Sequence, residues 1–132
     1  MKTLVTLALL LAFALPAVAQ DSTSKSKPKR RPDVISIEEI DAIRTEVATA
    51  HDIVQRLRPN FLRGRGPTST GSRAVPLARV VVDGTPRGEV DLLKQIPAMT
   101  IREVRYLKAT DASVQFGTGY DGGAILVFTR IQ

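Results

Sequence analysis

Four arginines offer the clearest recognition chemistry in the chain: Arg56, Arg58, Arg63 and Arg65, interleaved with Leu57, Phe61 and Leu62 and followed by Gly66 and Pro67. A guanidinium presents a planar fork of donors that fits a carboxylate or phosphate bidentately, and a loop can hold several forks toward one ligand. These four are the candidate ligand- or partner-binding residues. The alternative is a solvated basic edge whose apolar neighbours pack inward.

Other groupings are weaker. His51 is the only histidine, sits beside Asp52, and has no cysteine anywhere in the chain to activate. It reads as a half-exposed helix residue rather than a base or ligand. Asp83, Glu89 and Asp91 bring three carboxylates together, but their spacing matches no calcium loop and fits turn capping and solvated surface. Gly117 to Gly122 has the G-x-G-x-x-G spacing, yet it precedes a C-terminal strand, whereas a dinucleotide site needs it to follow a strand and open a helix. Gly117, Gly119, Gly122 and Gly123 are therefore expected to be structural turn positions, as are Asp83 and Gly84. No set of nucleophile, base and metal ligands is present, so the expectation is a non-enzymatic protein with no catalytic residue, metal or cofactor.

The positioning elements follow from spacing. Val34-Ile35 suits a short edge strand. Ser36 and Glu39 form a capping box ahead of Ile37, Ile40, Ile43 and Val47, which recur at helical intervals. Thr49 opens a second helix that buries Ile53, Val54 and Leu57 and ends at Pro59. Residues 60–76 are rich in glycine, proline, serine and arginine and read as loop. Val80-Val81-Val82 is a strand covered on both faces that stops at the Asp83-Gly84 turn. Val90 to Ile96 reads as a short helix ended by Pro97. Ile101 to Leu107 is a strand with Val104 and Tyr106 on one face and Glu103 and Arg105 on the other. Asp111 caps a helical turn through Phe116, and Ala124 to Thr129 is a last buried strand. Strands and short helices so interleaved imply an α+β fold with a small mixed sheet.

The first 19 residues carry a different message. Lys2, the apolar run Leu4 to Leu15, Pro16 and Ala17-Val18-Ala19 have the order of a cleavable secretory signal, and the run is short for a membrane span. Residues 20–33, with Lys25, Lys27, Lys29, Arg30 and Arg31, read as a disordered basic linker. The net charge of +6 is concentrated there: from Val34 onward 13 basic residues face 11 acidic ones, a balance of +2. Export and a nearly neutral domain argue against nucleic acid as a partner. The basic tail is expected to be a solvated linker or a peripheral contact to an anionic surface. Without cysteine, stability must come from an apolar core alone.

In order, the segments of residues 34–132 resemble the plug domain of TonB-dependent outer-membrane receptors. Val80 to Pro86 is similar to that plug's strand followed by D-G-x-P, and Leu93 to Pro97 with Ile101, Val104 and Leu107-Lys108 to its L-x-x-I-P…I-x-x-I-x-V-L-K segment. Asp111-Ala112 through Phe116-Gly117 resembles the A-x-x-x-[YF]-G turn, and Gly122 to Arg130 the closing G-G-x-I-x-[IV]-x-T-[KR] strand. Where the family has L-P-G-V, Leu57-Arg58-Pro59-Asn60-Phe61 stands, and Arg63-Gly64-Arg65-Gly66 replaces I-R-G. The sequence closes two residues after the last strand, so a plug without its barrel is expected, located in the periplasm or on the periplasmic face of the outer membrane. The resemblance implies an envelope protein as partner, with a separately encoded outer-membrane barrel as the alternative.

Overall fold

The computed structural model describes residues 31–64 and 75–130. The apolar segment 1–19, nearly all of the basic linker and Arg65 lie outside them. The described chain runs through β1 (Val34–Ile35), α1 (Ile37–Ile43), α2 (Ala50–Leu57), β2 (Arg79–Val82), β3 (Thr85–Glu89), β4 (Ile101–Leu107), α3 (Ala109–Phe116) and β5 (Ala124–Thr129). Short 3₁₀ turns occupy Arg44–Glu46, Pro59–Phe61, Val90–Gln95 and Ala98–Thr100. The fold is α+β, built on one mixed five-stranded sheet in the order β1-β4-β5-β2-β3. Only β2 and β5 pair in parallel; the other neighbours are antiparallel.

The sheet is covered unequally. On one face α1, α2 and the 3₁₀ turns bury Ile40, Ile53, Val54, Phe61 and Leu93 against Ile35, Val80, Val104, Ile125 and Val127. On the other, Ala112 of α3 and Tyr120 cover Val81, Ala124 and Leu126. Val80 and Val81 are adjacent in sequence, point to opposite faces and are both fully buried. An unbroken β-branched run therefore suits this position, because neither face of the strand meets water. Each such side chain contributes about 2 kcal/mol through the apolar area it loses to water.

Local chemistry sets the element ends. Thr49 and Asp52 form a reciprocal cap at α2: the Asp52 N–H donates to Thr49 Oγ1 at 3.3 Å, and the Thr49 N–H donates to Asp52 Oδ2 at 3.0 Å. Ser36 starts α1, its N–H donating to Glu39 Oε2 at 3.4 Å. Asp83 and Gly84 join β2 to β3 with φ of 48° and 80°, both left-handed, as a two-residue type I′ hairpin requires.

Three local expectations are corrected. The first helix stops at Ile43, and Val47 is extended beyond a 3₁₀ turn, which turns the chain toward Thr49. The helix over 90–96 is of the tighter 3₁₀ type. The last helix starts after Lys108, so Asp111 lies in its first turn, where a carboxylate meets the positive end of the helix dipole, rather than at the cap. One element that the spacing does not announce is the strand Thr85–Glu89, which contains Pro86 and Gly88. It is tolerated because it forms the outer edge of the sheet, where a missing N–H breaks no inner ladder, and its register shifts between Val80 and Val81.

Candidate functional site

The sheet has two ends with different chemistry. At one, the Asp83-Gly84 turn lies beside the end of β5. Asp83 Oδ1 accepts from the Thr129 N–H at 2.9 Å, Asp83 Oδ2 accepts from the Thr129 hydroxyl at 2.7 Å, and the Asp83 N–H donates to Val127 O at 3.0 Å. The Thr129 hydroxyl first, and then its backbone N–H, hold the Asp83 carboxyl below its ordinary pKa, helped by the positive field of Arg102 and Arg87. Arg130 continues the closure: its Nη2 donates to Asp41 Oδ1 at 3.0 Å and its Nε to Ile101 O at 3.3 Å. This end is stitched by its own polar groups.

The other end gathers around Tyr106. Its hydroxyl donates to Gly122 O at 2.9 Å, its ring stacks on Phe61 with centroids 5.2 Å apart, and its N–H donates to Asp33 O at 2.9 Å. Gly122 and Gly123 allow this packing for different reasons. A Cβ on Gly122 would lie 2.3 Å from Leu77 O, a purely steric exclusion, whereas Gly123 has φ of 87° and a Cβ there would lie 2.5 Å from Leu107 O. Gly117 closes α3 and Gly119 faces the Arg79 guanidinium, which itself lies over the Tyr120 ring.

The four candidate arginines do not form one cluster of equivalent donors. Arg58 turns inward. Its Nη2 donates to Glu39 Oε1 at 3.1 Å and Oε2 at 3.3 Å, to Arg31 O at 3.3 Å and to Val34 O at 3.5 Å, while Nη1 donates to Leu57 O at 2.9 Å. Both members of this ion pair are only 15 % exposed. Arg58 thus fastens the end of α2 to the start of α1 and to the point where the linker meets β1. Arg56 pairs with Glu46 on the surface, Arg63 is exposed, and Arg65 lies outside the described residues. The Glu39 contribution spans 19 positions, so no local spacing announces it.

The remaining constellations are dispersed. His51 is partly buried on α2, with Nδ1 4.0 Å from Asp52 Oδ1. Asp91 is bonded to Lys94 at 2.6 Å and Asp83 to Thr129. Among the described residues no three His, Asp or Glu side chains gather in a metal-binding group, and no helix is long and apolar enough to cross a membrane. No family model matches the chain, and no curated protein or solved structure matches it.

Proposed function

We propose that the chain is an exported, stand-alone plug-like domain, of the kind found in TonB-dependent receptors, that acts as a non-enzymatic binding module in the Gram-negative envelope. One observation supports the reading best. The segments that carry the resemblance are neighbours in space: β2, with its D-G-x-P turn, lies parallel to the closing strand β5, and the turn's Asp83 is bonded to Thr129 of that strand's T-R pair. Motif residues 46 positions apart therefore serve one another. The signal-like segment 1–19 supports export independently.

Partner contact falls to the exposed guanidinium groups of this reading, Arg56 and Arg63. Fractionation of a Gram-negative host expressing the full chain tests the proposal. Export predicts a periplasmic protein whose N-terminus is Gln20; an intact chain retained in the cytoplasm overturns it. Co-purification with an outer-membrane barrel that lacks its own plug would replace the module reading with the transport alternative, a detached plug occupying a separately encoded barrel.

A further inference from the structure

We propose that Asp121 is a site of spontaneous covalent modification, closing with Gly122 to a succinimide that reopens as isoaspartate, while the fold shields the other Asp-Gly pair, Asp83-Gly84. An aspartate followed by glycine suits this reaction best, because no side chain on the second residue hinders its nitrogen from reaching the carboxyl carbon. The chain holds two such pairs. Both sit in tight turns: Asp83-Gly84 joins β2 to β3, and Asp121-Gly122 lies between Tyr120 and Gly123, whose N–H donates to Tyr120 O at 2.8 Å.

The two pairs differ at the carboxyl. That of Asp83 is tethered to β5, accepting from the Thr129 N–H at 2.9 Å and from the Thr129 hydroxyl at 2.7 Å. These bonds also hold it below its ordinary pKa, so the protonated form, which can release its hydroxyl as water, is scarce there. Asp121 is exposed, and among the described residues its carboxyl accepts no hydrogen bond and joins no ion pair. The Gly122 N–H donates to no carbonyl among the described residues. Packing also keeps the reactive neighbour in place, since a Cβ on Gly122 would lie 2.3 Å from the carbonyl carbon and oxygen of Leu77.

The reaction consumes nothing but water. The Gly122 nitrogen bonds to Asp121 Cγ as the bond from Cγ to its hydroxyl breaks, and the hydroxyl leaves with the amide proton as water. Water then adds back to the five-membered ring. Addition at Cγ breaks the new bond and restores aspartate. Addition at the main-chain carbonyl breaks its bond to the Gly122 nitrogen and leaves the chain running through Cβ and Cγ. The main chain is then one methylene longer immediately before Gly122, whose carbonyl accepts from the Tyr106 hydroxyl at 2.9 Å. The change therefore falls on the Tyr106 end of the sheet.

Peptide mapping tests the proposal without reference to export or to a partner. Purified protein is incubated in mildly acidic buffer, folded or in guanidinium chloride, and digested with trypsin. Cleavage after Arg79, Arg87, Lys108 and Arg130 places the two pairs in separate peptides, Val80 to Arg87 and Ala109 to Arg130. Isoaspartate is read as an isomer of unchanged mass that resists endoproteinase Asp-N. In the folded protein it should accumulate in the Ala109 to Arg130 peptide alone, and in the denatured chain in both. Asp121→Glu should abolish it, because the ring would need six members; persistence would assign the change to Asp111 in the same peptide and overturn the proposal. So would equal accumulation in the two peptides of the folded protein, or none in the peptide that holds Asp121.

Discussion

The two ends of the sheet handle charge in opposite ways. At the Asp83 end, acceptors and donors satisfy one another: Asp83 serves Thr129, and Arg130 serves Asp41. At the Tyr106 end the polar interior is equally well satisfied, through Tyr106 to Gly122 and Arg58 to Glu39, yet the rim carries Arg31, Arg63 and Lys108, exposed and without an ion-pair partner among the described residues, and exposed Val75 and Leu77. The lesson is that residue type does not assign the task. Arg58 and Arg63 are five positions apart in one basic run, but the first is internal scaffolding and the second faces outward.

Substitutions can break this comparison, and the largest effects belong to the packed glycines. Gly123→Val combines a left-handed φ that β-branched residues avoid with a collision against Leu107 O, and should cost about 4 kcal/mol in chemical denaturation. Gly117→Ala places a Cβ at φ 91° and ψ −162°, a region that glycine alone occupies readily, but with open space around it, so about 2 kcal/mol is expected. Equal costs at the two positions would show that close packing at Gly123 adds nothing.

The next effect separates the arginines. Arg58→Ala removes the Arg58–Glu39 ion pair and the donors to three backbone carbonyls, so it should cost about 2 kcal/mol. Arg63→Ala should change stability by less than about 0.5 kcal/mol, as exposed residues without such features do. A stable Arg58→Ala variant that loses partner binding would return Arg58 to the recognition surface.

At the Asp83 end the expected cost is smaller. Asp83→Asn keeps a residue that tolerates left-handed φ and loses the charge-assisted bonds to Thr129, at about 1 kcal/mol. The pH dependence has a definite sign. Asp83 titrates lower folded than unfolded, so the unfolded chain binds the proton more readily. Its stabilisation is complete above the ordinary carboxylate value of about 3.9 and is lost as pH falls below it. Asp52, lowered by the Thr49 hydroxyl and backbone N–H, adds to the same trend. Denaturation at successive pH values should show stability falling below this range, less steeply in Asp83→Asn.

Much of the fold was legible because local rules and tertiary demands agreed. The alternation of Val104 and Tyr106 placed one face of β4 on the core, the Val80–Val82 run marked a doubly covered strand, and Thr49 capped α2. What escaped was set by neighbours. Pro86 and Gly88 look like breakers, and only their place on the outer edge makes Thr85–Glu89 a strand. Of the candidate site, the basic composition was visible but its division was not, since the pairing of Arg58 with Glu39 and the meeting of Arg31, Gly64 and Leu77 at one end depend on tertiary placement.

Amide hydrogen exchange of the protein and of its Arg58→Ala variant compares the two ends in one measurement. The account predicts that the substitution loosens protection over residues 31–39 and 54–58, which Arg58 fastens together, and leaves the amides of Asp83 and Thr129 unchanged. Loosening that appears at the Asp83 end, or uniformly over the sheet, would contradict it.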